Sequence, residues 1–311
     1  MRAVASAPVH GTPVGKEPTP AGPTLRAALA GRSDSYLLGP IAPAVSSTRL
    51  SIVLMARHYG HVASGDSPGW EADARAIRAV RQDPGASVDT SRWPATVPAV
   101  EQLLCEGLEL PRGLTVLVGE NGTGKSTVME ILAEACGLNP QGGSAQARLF
   151  RTRDSEPGVG AQLVVERGAV RPHWSYFLRA DTMHGLYTYL EEHPGKRQER
   201  FHELSHGEGF LEILLTRVNQ PGFYLMDEPD APLSFTASLG LVALLHDLVQ
   251  AGSQAIVATH SPIVAAVPGA SILELGDWGM RPARWEELHL VGAWRRFLAE
   301  PASYIRHLLA D

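Results

Sequence analysis

The chain has 311 residues, 44% of them hydrophobic, enough to bury the core of one large domain or of a domain with an appendage. A formal net charge of −6 gives no global electrostatic footprint for nucleic acid, although a local basic face would be hidden in the sum. Cys105 and Cys136 are the only cysteines, lie 31 residues apart and form no C-x-x-C, so neither a disulfide framework nor a zinc site is indicated and a reducing cytoplasm is the simplest home.

Residues 1–50 hold seven Pro and five Gly among Ala, Ser and Thr, with few large apolar side chains. Such a stretch cannot bury enough surface to offset its ordering entropy, so it reads as a disordered leader, with Met55 a candidate true start. Pro8 and His10 break the first apolar run before a signal peptide can form. Ile52–Ala56 is too short to span a bilayer, and Ala255–Val267 is broken by Thr259-His260-Ser261-Pro262, so no membrane span is expected. A single domain is expected from residue 70 to residue 311. It opens with a helix-prone Glu71–Arg75 segment, a strand around Ile77 and Val80, then Trp93-Pro94 and the Pro98–Leu104 stretch. Trp93 is placed to stack on a base from this N-terminal layer or simply to pack beside its proline.

Pro111-Arg112-Gly113 turns the chain into Thr115–Val118, a β-branched run that reads as a buried parallel strand. Gly119-Glu120-Asn121-Gly122-Thr123-Gly124-Lys125-Ser126-Thr127 follows and fits G-x-x-x-x-G-K-[ST], the phosphate-binding P-loop. Val128, Ile131, Leu132 and Ala135 then recur at helical spacing. Strand, glycine loop and helix form the context the motif needs. The glycines let successive N–H groups converge, the helix start adds partial positive charge, Lys125 reaches the outer phosphates and the Ser126 hydroxyl is left for Mg²⁺.

Gly137 and Asn139-Pro140 stop that helix, and a loop over Gln141–Ala147 leads to strands at Leu163–Glu166 and Tyr176–Leu178. A helix is expected over His184–Glu192 and a charged, solvated connector over His193–Arg200. Leu204-Ser205-His206-Gly207-Glu208 precedes Phe210, Leu211, Leu214, Leu215 and Val218 at helical spacing; alone it fits a helix cap as well as a site. Nineteen residues after Glu208, the apolar run Phe223–Met226 has ended in Asp227-Glu228-Pro229. Consecutive strand side chains point to opposite faces, so one carboxylate can hold a metal's water shell while the other addresses the attacking water. Leu239–Gln250 reads as a helix closing near Gly252, and Ala255–Thr259 as a buried strand ending in His260, where open α/β sheets place ligands. Ser271–Leu275 supplies another strand, and helices close the chain over Trp285–Leu309.

P-loop, L-S-x-G-E, apolar-D-E-P and strand-end T-H-S, in this order, resemble the nucleotide-binding core of the ATP-binding-cassette (ABC) ATPases over roughly residues 75–311. Within that superfamily the chain is similar to small soluble bacterial ATPases labelled AAA-family or ABC-type. Ser205–Glu208, Asp227–Ser234, Ala258–Ile263 and the tail from Arg296-Phe297-Leu298 to Tyr304–Leu309 carry the closer match. The resemblance implies an α/β P-loop NTPase, its mostly parallel sheet flanked by helices and a helical insert at about 137–215 carrying the signature. It also implies an ATP-dependent head-to-tail homodimer closing on two ATP molecules. Lys125 would hold the β- and γ-phosphates, Ser126 and Asp227 the Mg²⁺ shell, and Glu228 would polarise the attacking water. His260 would sense the γ-phosphate, while Ser205 and Gly207, in the motif closed by Glu208, would complete the partner's site.

Two positions depart from the transporter-like pattern. Asp181 is the best-placed residue where those members carry glutamine, and Ser234 replaces the usual aspartate of the loop after Glu228. The leading expectation is a soluble ATP hydrolase whose ATP-gated dimerisation acts on a partner, a separately encoded protein effector being one candidate. The alternatives are a compact DNA repair or recombination ATPase and the ATP-binding subunit of a transporter. The 80 residues between Lys125 and Ser205 exclude a long coiled coil. Net charge lends DNA no support; Arg148, Arg151 and Arg153 form a local cluster that could contact phosphates, or a solvated surface. Glu228 argues against a non-enzymatic nucleotide switch, which needs no water-polarising carboxylate.

Overall fold

Three strands that read as continuous apolar runs lie side by side at the centre of the molecule. The computed structural model describes residues 75–144, 158–180, 214, 217, 218 and 220–309, all within the unit Ser47–Asp311. The leader, the Glu71–Ala74 part of the first expected helix, the arginine cluster, Asp181, the His184–Arg200 region and Ser205–Glu208 lie outside the described residues.

In chain order the strands are β1 (Ile77–Gln82), β2 (Leu108–Glu109), β3 (Leu114–Val118), β4 (Gly143–Ser144), β5 (Leu163–Arg167), β6 (Ser175–Arg179), β7 (Phe223–Asp227), β8 (Gln254–Thr259), β9 (Ser271–Gly276) and β10 (Gly279–Ala283). The helices are α1 (Pro98–Glu106), α2 (Lys125–Ala135), α3 (Phe235–Gln250), α4 (His289–Ala299) and α5 (Pro301–Leu309). Seven strands form one sheet in the order β10-β9-β3-β8-β7-β6-β4. β9, β3, β8, β7 and β6 run parallel, and β10 and β4 close the edges antiparallel.

Every position of β3, β7 and β8 is buried, which requires cover on both faces. Alternation divides their side chains. Val116, Val118, Tyr224, Met226 and Val257 meet Leu241, Leu244, Leu245 and Leu248 of α3 on one face. On the other, Leu117, Leu225, Ile256 and Ala258 meet Leu103 of α1 and Val128, Met129 and Leu132 of α2. The three-stranded antiparallel sheet β2-β1-β5 adds Ile77, Val80 and Leu163 to that second core. Because β3, β7 and β8 are parallel, the loops after Val118, Asp227 and Thr259 emerge at one edge of the sheet.

The buried side chain of Gln254, at the start of β8, ties the two sheets together. Its Oε1 accepts from Ala76 N at 3.0 Å and Ile77 N at 2.9 Å, and its Nε2 donates to Ile77 O at 2.9 Å and Pro111 O at 3.0 Å. Both amide protons and both lone-pair directions are thereby used.

Helix α3 begins at Phe235, four residues before the periodicity suggested, because the Ser234 hydroxyl accepts from Ala237 N at 3.3 Å as an N-cap. Ser234 therefore has a local structural task at the position where the resemblance led one to look for aspartate. Strands β2, β4 and β10 went unread in the sequence. The first two have two residues each, and β10 carries Pro282, which only an edge strand tolerates.

Candidate active site

The P-loop leaves β3 at Val118 and enters α2 at Lys125, as its letters required. Gly122 and Gly124 have φ of 84° and 91°, values that favour glycine. Gly124 also lacks room for a side chain, since a Cβ there would lie 2.4 Å from Val97 Cγ1. No side chain caps α2, so its first-turn N–H groups open onto the loop. Lys125 is buried, and its Nζ donates to Gly119 O at 2.8 Å and Glu120 O at 2.9 Å. Burial lowers the Lys125 pKa, and the carboxylates of Glu228, Asp227, Asp230 and Glu120 oppose that shift. Thr123 Oγ1 donates to Glu120 O at 2.9 Å and braces the loop; Glu120 and Asn121 are exposed, and Thr127 is half-buried in the first turn of α2.

Asp227 ends β7 facing α2, where its Oδ1 accepts from Ser126 Oγ at 3.2 Å. Burial raises its carboxyl to about 6; the Ser126 hydrogen bond and Arg179 pull it down, while Glu228 and Glu130 push it up. Arg179, opposite Asp227 on β6, is itself held by Glu130 Oε1 at 2.5 Å and Pro140 O at 3.0 Å.

Glu228 points elsewhere, though not because the strand alternates. Its backbone leaves the strand at φ 51°, a left-handed conformation uncommon for a non-glycine residue and concentrated at functional sites. Its N–H donates to Ala258 O at 2.9 Å, and its Oε1 lies 3.0 Å from His260 Nε2. A hydrogen bond between them needs the imidazole proton on Nε2. The divergence of Asp227 and Glu228 expected from the sequence is present, but a strained residue just past the strand produces it.

Asp230 received no role from the sequence. Its Oδ1 accepts from Thr259 Oγ1 at 2.7 Å, next to His260. Burial raises its carboxyl pKa, against the hydrogen bond from Thr259 and the nearby His260. The D-x-x-D spacing of Asp227 and Asp230 was visible, but a contact across 29 residues was not.

Trp93 is 70% exposed, four residues before the Val97 that packs on Gly124. Lys125, Ser126, Asp227, Glu228 and His260 therefore converge at one sheet edge, while Ser205, Gly207, Glu208 and Asp181 lie outside the described residues.

The residues fit a magnesium nucleotide. The N–H groups at the start of α2 and the Lys125 ammonium suit phosphate oxygens, and the Ser126 hydroxyl beside a buried carboxylate suits a hard divalent cation. The raised Asp227 carboxyl is itself an argument for the ion, since positive charge there would offset the cost of ionising a buried acid.

A parallel sheet with a phosphate loop between β3 and α2, and carboxylates at the end of the neighbouring strand β7, defines a P-loop NTPase. Residues 108–231 match the family model described as ABC transporter, and members of that family hydrolyse ATP. Over 192 residues the chain is 27% identical to the macrolide export ATP-binding/permease protein MacB of Hahella chejuensis, covering 54% of this chain and 28% of that protein. The match thus spans less than a third of that relative's length. Among solved structures, cbiO1 of Clostridium perfringens, part of the ABC transporter complex cbiONQ, aligns with TM-score 0.41 at 15% identity, over 76% of this chain and 100% of that one. The SMC head domain of Thermotoga maritima aligns with TM-score 0.37 at 17% identity, over 57% and 93%. Among the described residues no helix is long and apolar enough to cross a membrane.

Proposed function

We propose that the protein binds ATP with Mg²⁺ and hydrolyses it at a head-to-tail dimer interface, and that ATP-gated dimerisation acts on a partner. The placement of Glu228 carries this reading: a carboxylate held apart from the Ser126–Asp227 pair, 3.0 Å from His260, is free to accept a proton.

The start of α2 and Lys125 bind and orient the phosphates, work that supplies most of the catalysis in phosphoryl transfer. Ser126 and Asp227 hold Mg²⁺, which supplies charge neutralisation on the phosphate oxygens. Glu228 orients the attacking water and takes its proton. His260, 3.0 Å from that carboxylate, orients it and is the candidate to sense the γ-phosphate. Trp93 is the candidate to stack on adenine, and Ser205 and Gly207 are the candidates to complete the partner's site.

A second reading, the energy-coupling subunit of a transporter, draws support from the family's description and from the permease in the name of the Hahella relative. The two readings share the site and differ in what the dimer works on.

The test uses Glu228→Gln, which keeps the shape of the side chain and removes the base. ATP turnover should fall at least ~100-fold while binding is retained. The solution mass of this variant with ATP and Mg²⁺ should be that of a dimer, both with and without duplex DNA. Full activity in Glu228→Gln would move the base elsewhere, and a monomer throughout would overturn the shared site. A dimer that retains DNA and sheds it as salt rises would instead support the DNA-maintenance alternative.

A further inference from the structure

His260 is flanked by two residues whose hydroxyls are committed to backbone or carboxylate partners. Thr259 is fully buried; its Oγ1 accepts from Ser261 N at 2.9 Å and donates to Asp230 Oδ1 at 2.7 Å. Ser261 Oγ accepts from Ile263 N at 3.3 Å and Val264 N at 3.4 Å, starting the short helical turn Val264–Ala266. The peptide carrying the imidazole is therefore pinned on both sides. Asp230 belongs to the other loop, the turn that holds Glu228 at φ 51°, in which Ala231 N donates to Glu228 O at 3.1 Å and Leu233 N to Asp230 O at 2.9 Å.

The loop after β7 thus meets the end of β8 and the residue that follows it, one contact each. One meeting is Glu228 with His260, and the other is Asp230 with Thr259. A carboxylate accepting from a buried hydroxyl is a short, directional bond, and Thr259 has no rotational freedom left once its proton is given to Asp230 and its lone pair to Ser261. We propose that Asp230 is a positioning residue that, through Thr259, sets the height of the His260 loop and so holds the His260 imidazole against Glu228. This inference rests on the ATPase reading only for its kinetic consequence. The geometric consequence stands apart.

Asp230 is hydrogen-bonded to Thr259, and its charge acts on Lys125 only alongside the larger effects of Glu228 and Asp227, so removing it should slow the chemical step far more than it changes nucleotide affinity. A shift of loop register of this kind costs roughly 10- to 100-fold in rate. Asp230→Ala and Thr259→Val should each lower kcat by that factor with KM for ATP changed less than about twofold. Asp230→Asn, whose amide oxygen still accepts from Thr259, and Thr259→Ser, which restores the hydroxyl, should recover most of the rate. The double variant Asp230→Ala/Thr259→Val should be no slower than the slower single one, since both delete one link.

Long-range proton–nitrogen spectra of the nucleotide-free protein, with the His260 signals assigned by comparison with His260→Gln, read the contact directly. In the wild type they should show a proton fixed on Nε2; in Asp230→Ala and Thr259→Val they should move toward a free imidazole, and in Thr259→Ser they should return. Unchanged His260 signals in Asp230→Ala, additive losses in the double variant, or a KM that rises in step with the loss of kcat would each overturn the proposal. Were Glu228→Gln to hydrolyse ATP at full rate, the ATPase reading of this site would fall, and the His260 spectra alone would decide the positioning role.

Discussion

Asp227 is a carboxylic acid whose ionisation the fold penalises. Its folded-state pKa, about 6, lies above the ordinary 3.8, chiefly through burial. Between those values the folded chain binds more protons at this site than the unfolded one, so the Asp227 contribution costs nothing below pH 4, lowers stability as pH rises toward 6 and stays unfavourable above it. The cost is on the order of 2–3 kcal/mol. Asp227→Asn cannot ionise and still offers an oxygen to Ser126. In calorimetry at pH 8 without divalent cations its Tm should exceed the wild type's by about 5 °C, with no difference at pH 4. A lower Tm at pH 8 would mean that Ser126 and Arg179 stabilise the ionised carboxylate more than burial harms it. At this scale the sequence spoke clearly wherever chemistry is local: the glycines and Lys125 of the P-loop are contiguous, so spacing alone places them. It was silent on Asp230 and Thr259, because their bond depends on how a loop meets the end of a strand. For Glu228 the outcome was foreseen and the cause was not, since a left-handed residue after a strand leaves no mark in a run of letters.

Among the elements, β3, β7 and β8 were legible because burial on both faces demands uninterrupted apolar residues, and that pattern survives without any alignment. The join between the two sheets was not legible, because Gln254 reaches partners 178 and 177 residues away. A lone glutamine before an apolar run reads as a turn residue, yet this one satisfies two buried amides of the β1 region with a single oxygen. Gln254→Leu would fill similar volume while leaving Ala76 N and Ile77 N without that acceptor. Each orphaned group costs ~1–3 kcal/mol, so an overall loss of about 3 kcal/mol is expected. Denaturant titration should show a lower midpoint at an unchanged m-value, which marks lost stability rather than a changed end state. A midpoint within experimental scatter of the wild type would show that the β1 sheet is held by its apolar contacts with α1 and α2 alone. Because β8 also delivers His260, the same variant should lower ATP turnover only in proportion to the fraction unfolded.

For the whole molecule, the open question is whether two copies share each nucleotide, and mass action gives a test that needs no knowledge of the partner. A ligand that binds only the folded chain stabilises it by RT ln(1 + [L]/Kd), about 4 kcal/mol at a thousandfold excess over Kd, whatever the protein concentration. If ATP also drives dimerisation, unfolding becomes dissociation of a dimer into two chains, and Tm must then rise with protein concentration. Glu228→Gln isolates that state, because it should hold ATP without consuming it. Its Tm with saturating ATP and Mg²⁺ should climb by several degrees over a hundredfold range of protein concentration, and its nucleotide-free Tm should stay flat. Lys125→Ala, which removes the buried ammonium from the phosphate loop, should show neither the ATP stabilisation nor the concentration dependence. A Glu228→Gln protein that ATP stabilises equally at every concentration would be a nucleotide-binding monomer. The sites would then be complete within one chain, Ser205 and Gly207 would lose their reason to face a partner, and the work of the cycle would have to come from movement inside a single subunit.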